Sequence, residues 1–192
     1  MLNLEFRPLA ADRWQDFEAL FGPRGACGGC WCMYWRLSRS EFEANKGEGN
    51  RKMMRELLDA DEAPGILAYA DGQPIGWCAL APRQAYPTLG RSRVLKPVDN
   101  QAVWSITCFF VAKVFRRKGV TTQLLKAAVD HAARRGAYIV EGYPIEPTQD
   151  FVPPVFAYTG LVSSFHQAGF VEVARRSETR PIMRYYIGAK TT

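Results

Sequence analysis

A chain of 192 residues, 47% hydrophobic and 23% charged, has the composition of about one globular domain, which excludes disordered, collagenous and fibrous proteins. No apolar run approaches the roughly 20 residues of a membrane span, and the start MLNLEFRPLAADRW is acidic within five residues, so neither a span nor a secretory signal is expected. The 25 Lys and Arg exceed the 19 Asp and Glu, a net charge of +6 that suits an anionic partner: nucleic acid, a membrane surface or a phosphorylated ligand.

In chain order, residues 2–8 alternate loosely and predict a first strand. Asp12 reads as an N-cap, followed by Trp14, Phe17, Leu20 and Phe21 at helical spacing, and Gly22-Pro23 as the stop. Residues 25–36 crowd Gly, Cys and three aromatics (Trp31, Tyr34, Trp35) into one loop. Ser38 and Glu41 have capping-box spacing, and Met53, Met54, Leu57 and Leu58 form an apolar stripe on a later helix. Asp71-Gly72 between residues 66–70 and 75–80 predicts a hairpin, because both turn positions need positive φ. A long loop with Arg83, Arg91, Arg93 and Lys96 leads to a buried central strand at 103–111, then the cleanest helix at 120–135, which Gly136 ends. A strand at 137–143, a short helix at 160–168 and strands at 171–175 and 182–187 complete the order β-α-α-β-β-β-α-β-α-β-β. The hairpin must be antiparallel and the strand-helix-strand unit parallel, so the class is α/β with a mixed sheet in one domain spanning 1–192.

Five cysteines without a signal pattern point to free thiols in a reducing cytosol. Cys27, Cys30 and Cys32 invite a metal or labile-disulfide reading, but neither His131 nor His166 stands at a ligand spacing, so the expectation is no metal.

The chemistry concentrates between the central strand and the helix after it, in residues 111–122. A helix N-terminus has unpaired N–H groups and a partial positive charge, Gly119 lets a ligand approach the backbone, and Arg116, Arg117 and Lys118 add charge. The alternative is a solvated basic turn. Neither a GxxxxGK[ST] nor a GxGxxG pattern is present.

The pattern V-x-x-x-x-R-x-x-G-x-T-x-x-L-L running from Val111 to Leu125 resembles the acyl-CoA-binding motif of the GNAT superfamily of N-acetyltransferases, as do the element order and Ala168-Gly169-Phe170. The resemblance implies a mostly antiparallel sheet flanked by helices, the acyl-CoA N-acyltransferase architecture, and acetyl-CoA as acyl donor. It implies that residues Arg116, Arg117, Lys118, Gly119, Val120, Thr121 and Thr122 cradle the pyrophosphate, and that Phe110 and Val111 pair with the pantetheine arm and offer N–H groups to the thioester oxygen. Thr121 departs mildly from the motif's small last residue. Where the family often places a general-acid Tyr, this chain has Phe165; Tyr143 and Tyr158 are the candidate replacements, Tyr158 two helical turns before Phe165 if that helix starts early.

Glu141 interrupts an apolar strand and shares a face with Tyr143, which makes the pair a candidate for base and polar chemistry; the alternative is pairing with an arginine. Ser105 and Thr107 on the central strand could position a water. Trp31, Tyr34 and Trp35 would line an acceptor site through stacking or cation–π contact, or else serve as helix-packing core. The function expected is acetyl transfer to a primary amine of a small molecule or peptide by direct attack in a ternary complex, in the cytoplasm, without nucleic acid or membrane and with a homodimer left open. The alternatives are a CoA-binding or regulatory module without turnover and, weakly, a nucleic-acid binder using the basic loop 81–97.

Overall fold

The structure, a computed structural model, describes residues 3–60, 62–148 and 157–188. Seven strands form one mixed sheet: β1 (Leu4–Pro8), β2 (Gly65–Ala70), β3 (Gln73–Pro82), β4 (Trp104–Val111), β5 (Ile139–Gly142), β6 (Val171–Arg175) and β7 (Pro181–Tyr186), in the order β1-β2-β3-β4-β5-β7-β6. Only β4 and β5 pair in parallel; the other neighbours are antiparallel. The helices are α1 (Trp14–Phe21), α2 (Arg39–Ala44), α3 (Glu48–Asp59), α4 (Pro87–Arg91), α5 (Val120–Arg134) and α6 (Val162–Gln167).

Both faces of the sheet are covered, which is why β2 is buried at every position. Ile66, Ala68 and Ala70 turn toward α5, packing with Leu124, Leu125 and Phe165, while Leu67 and Tyr69 turn toward α1 and α3, packing with Phe17, Met54 and Trp77. The β2–β3 hairpin turns on Asp71 (φ 50°) and Gly72 (φ 75°), the two positive angles a tight turn of this hand needs. The Ser38–Glu41 capping box is present in full, with Glu41 N–H donating to Ser38 Oγ at 3.3 Å and Ser38 N–H to the Glu41 carboxylate at 2.9 Å.

Four expectations change. Asp12 does not cap α1: it lies in a 3₁₀ turn, Ala11–Arg13, ion-paired with Arg13 at 3.2 Å, and α1 begins at Trp14. The helical segment after Ser38 breaks in two at Gly47 (φ 87°). The basic loop after β3 contains a 3₁₀ turn, Arg83–Ala85, and then α4, with Pro87 in its first turn. The last helix starts at Val162, so Tyr158 stands in a turn outside it.

One irregularity positions everything that follows. Ala79 pairs with Cys108 but Leu80 with Ile106, leaving Thr107 as an extra residue that bulges β4. The β4–β5 register runs from Trp104↔Val140 to Ile106↔Gly142 and stops, while β4 continues to Val111. Beyond Ile106 and Gly142 the two parallel strands therefore separate, and Phe165 packs into their fork. A methyl on Gly142 would overlap the fully buried Phe165 ring. Gly142→Ala is expected to lower the unfolding free energy by about 1–3 kcal/mol, read in urea denaturation; an unchanged midpoint would contradict this packing.

Candidate functional site

The strand fork leads directly to the start of α5. Ala112 donates to the Ile75 carbonyl of β3 at 2.9 Å, and Phe109 donates to the Tyr158 carbonyl at 2.6 Å on the opposite edge. Successive strand residues turn their main-chain groups to alternate edges. Phe109 and Val111 thus face the fork, whereas Phe110 turns its N–H toward β3 and its ring to Phe21, 5.5 Å away. Sequence reasoning named Phe110 and missed Phe109, because the bulge at Thr107 shifts the parity and leaves no local signal.

The turn after β4 is closed by Arg116, whose Nε donates to the Val111 carbonyl at 2.9 Å. Arg117 (φ 59°) and Gly119 (φ 76°) bend the chain into α5, where the first helical bond runs from Gln123 N–H to the Gly119 carbonyl. The N–H groups of Val120, Thr121 and Thr122 consequently have no acceptor within the helix. A Cβ at Gly119 would meet nothing within 4 Å, so the approach to these donors is open. Lys118 extends over the Phe115 ring at 5.6 Å, and Thr122 Oγ1 donates to Gln167 at 3.3 Å. Backbone donors, a positive helix end and exposed cations converge on one spot, which is the chemistry of a phosphate cradle.

Glu141 and Tyr143 lie at the base of the fork within a buried polar network. Glu141, 1% exposed, accepts from Arg83 at 2.9 Å on one oxygen and from Arg184 at 2.7 Å on the other. The Tyr143 hydroxyl donates to Glu141 at 2.8 Å, accepts from Arg83 at 2.5 Å and lies 2.8 Å from Ser105 Oγ. Burial and the Glu141 charge push the Tyr143 phenol well above its ordinary value. Arg184 also forks onto Asp99 at 2.6 and 3.0 Å, and Arg83 donates to the Leu95 carbonyl at 2.6 Å. The loop after β3 is thereby stapled to β5 and β7, and Arg83 is not available to a phosphate.

The Arg184 guanidinium, helped by the Gln101 N–H, holds the Asp99 carboxyl well below the usual carboxylate range. A depressed folded value gives stabilisation that is complete above the unfolded pKa of about 4 and lost as pH falls through the folded one. Asp99→Asn should lower Tm at pH 7 and make progressively less difference below about pH 4; a penalty that persists undiminished in acid would contradict the ion pair.

Of the three aromatics in the Cys-rich loop, Trp31 is core: 5% exposed, it stacks near Trp14 and Phe21. Tyr34 is half-exposed with its ring edge-on to Trp35. Trp35 packs in the cluster that holds Tyr86 and Tyr143, and its buried indole N–H has no hydrogen-bond partner among the described residues; the Tyr158 phenol is itself largely buried. Burial pushes that phenol up to about 12. Behind these rings the Trp77 indole donates to Cys32 Sγ at 3.1 Å. Hydrogen bonding with Cys108, then with Trp77, draws the Cys32 thiol down, and the same pairing together with burial drives Cys108 up. All five cysteines are free, and among the described residues no three His, Cys, Asp or Glu side chains gather as metal ligands. His131 is buried against Trp104, and desolvation lowers its pKa. No helix among the described residues is long and apolar enough to cross a membrane.

A seven-stranded mixed sheet flanked by helices, with one forked parallel pair leading to a glycine-capped helix N-terminus, matches the acyl-CoA N-acyltransferase fold of solved structures. A family model described as "Acetyltransferase (GNAT) family" matches residues 31–147. The chain belongs to the GNAT acetyltransferase family. Its fold is similar to that of a GNAT-family acetyltransferase from Listeria monocytogenes (TM-score 0.59, 9% identity, 97% of this chain and 96% of that one). It is also similar to PaiA N-acetyltransferase from Thermoplasma acidophilum in complex with coenzyme A (TM-score 0.54, 15% identity, 96% and 99%). A third likeness is to aminoglycoside N-acetyltransferase AAC(6')-Iy in complex with CoA (TM-score 0.54, 18% identity, 92% and 93%). No curated protein matches the chain by sequence.

Proposed function

We propose that the whole chain acts as one acetyltransferase domain that moves an acetyl group from acetyl-CoA to a primary amine of a small molecule or peptide. The observation that carries this reading is the fork: β4 runs on to Val111 after β5 has left it, and its free edge ends at the open N-terminus of α5. Acetyl-CoA supplies an activated thioester and a diphosphate. The N–H groups of Val120, Thr121 and Thr122, with Arg116, Arg117 and Lys118 around Gly119, would hold the diphosphate. Val111 would pair main chain to main chain with the pantetheine. Phe109 would offer its N–H to the developing oxyanion once the Tyr158 carbonyl gives way.

The neutral amine nitrogen attacks the thioester carbon, the C–N bond forms, the nitrogen gives up one proton to solvent water, and the C–S bond breaks with the electron pair on sulfur. Tyr158 is our candidate to protonate that thiolate because its main chain lies on Phe109 at the fork; burial keeps the phenol protonated at neutral pH and makes it a weaker acid than a free tyrosine. Phe165, fully buried in the fork, has no part in proton transfer. Glu141 and Tyr143 we assign to positioning: a carboxylate with both oxygens held by guanidinium groups shapes the base of the fork and is not presented to an amine. Tyr34 and Trp35 remain on the acceptor side, while Trp31 supports them from the core.

The non-tyrosine at position 165 also supports a second reading, a CoA-binding module without turnover. An amine panel with acetyl-CoA, followed by release of free thiol, separates the two. Acetylation of at least one amine supports the transferase; saturable CoA binding with no acceptor turned over supports the module.

A further inference from the structure

On the face of the sheet that carries α1 and α3, a hollow of about 310 Å³ opens between residues 33–37 and α3. Its walls are Met33, Leu37, Met53 and Leu57, and the charged groups on it are Arg36 and Glu56. Glu56 is at the solvent side, paired with Lys52 at 4.0 Å, both well exposed. Arg36 differs. Its side chain is 7% exposed, and its ion pair with Glu62 is 3.8 Å long, beyond hydrogen-bond range. Among the described residues its Nη2 has no hydrogen-bond partner. The guanidinium is held flat by the Tyr86 ring, 4.9 Å away. A buried cation with an unmade bond costs free energy unless a ligand completes it.

The hollow adjoins the reaction fork through two side chains. Trp35, the neighbour of Arg36, and Tyr86, beneath Arg36, both pack in the cluster that holds Tyr143. The chemistry of the hollow selects one class of molecule. Arg36 lines the hollow, and a planar guanidinium fork matches a carboxylate. The apolar walls disfavour a multiply charged phosphate, whose remaining oxygens would be desolvated without partners. The thioether walls accept an aliphatic or aromatic body of varied shape.

We propose that this hollow is the acceptor subsite, and that the amine acceptor is an apolar molecule bearing a carboxylate, which Arg36 binds. The assignment rests on the transferase reading above. Arg36 orients the acceptor so that its amine reaches the fork, while Met33, Leu37, Met53 and Leu57 exclude water from its body.

The test has a binding arm and a turnover arm. In the binding arm, calorimetry follows 4-methylpentanoate, which has no amine, against 4-methylpentanamide. The acid should bind saturably to the wild-type protein and the amide about 10-fold or more weaker; equal binding, or none of the acid, overturns the subsite. Arg36→Met should remove the preference, and a folded Arg36→Met that keeps it also overturns the subsite; the wild-type comparison stands without the variant. In the turnover arm, leucine, phenylalanine and 6-aminohexanoate are set against their carboxamides with acetyl-CoA. A lower KM and a higher kcat for the acids than for their carboxamides, both lost in Arg36→Met, support the proposal. Acetylation of acids and amides alike overturns the acceptor class and leaves the transferase standing. Saturable binding of the acid with no amine acetylated overturns the transferase and leaves Arg36 as a carboxylate site.

Discussion

Glu141→Gln is expected to lower the unfolding free energy by about 3 kcal/mol, a drop in Tm on the order of 10 °C for a chain of this size. The reason is what remains behind. Arg184, 2% exposed, and Arg83 are both bonded to this carboxylate, and Asp99 can neutralise only Arg184. Gln offers one oxygen where the carboxylate offers two, so a buried guanidinium loses its counter-charge and a hydrogen bond together. If the Gln oxygen serves Arg184, Arg83 and the Tyr143 hydroxyl lose their acceptor; if it serves them, Arg184 does. Equilibrium denaturation in urea reads the effect, and the pH–rate profile of the folded fraction should stay that of the wild type. If Glu141 were instead the base that deprotonates the amine, the same variant would keep its stability and lose kcat with the acidic limb of the profile.

Gly119→Val should weaken CoA binding by at least about 100-fold while costing only about 1–2 kcal/mol of stability. The stability cost comes from forcing a β-branched residue to φ 76°. It stays small because nothing lies within 4 Å of the added Cβ. That open space, however, is the approach to the N–H groups at the start of α5. Isopropyl bulk there would hold a diphosphate away from donors that work only within hydrogen-bond distance. Matched thermal melts distinguish lost binding from lost fold.

The two variants also mark what the sequence makes legible. The hairpin at Asp71-Gly72, the Ser38–Glu41 box and the stripe of α5 were readable because each depends on residues within a turn or two of one another. The glycine-capped start of α5 was readable for the same reason: Gly119 and three cations adjoin a predicted helix start. By contrast, the bulge at Thr107 exists only through the pairing of β4 with β3, so the parity that puts Phe109 on the fork has no local signature. The partners of Glu141 stand 58 and 43 residues away, and a carboxylate in an apolar strand announces that it needs a partner without saying which. Trp31 looked like its neighbours Tyr34 and Trp35; the positive φ at Trp31 (41°) and Cys32 (62°) turns it inward and leaves Tyr34 outside. Helix α4 is too short for periodicity to reveal and is held by Leu89 and Tyr86 in the core.

The basic surplus of +6 has two destinations in the folded chain. Arg83 and Arg184 are held inside by Glu141, and with the partly exposed Arg176 they bind Leu95, Lys96, Pro97 and Asp99 and so fix the loop after β3. Arg116 to Lys118 stay at the mouth of α5, where an anion would be met. Charge therefore both pins the loop after β3 and gathers at the start of α5.

The central claim is that the open start of α5 and the free edge of β4 hold acetyl-CoA. Calorimetric titration of the wild-type chain and Gly119→Val with acetyl-CoA tests it most directly. Saturable one-to-one binding by the wild type, and its loss in a folded Gly119→Val, is the result predicted. Absence of binding to the wild type, or equal affinity in both proteins, would contradict it.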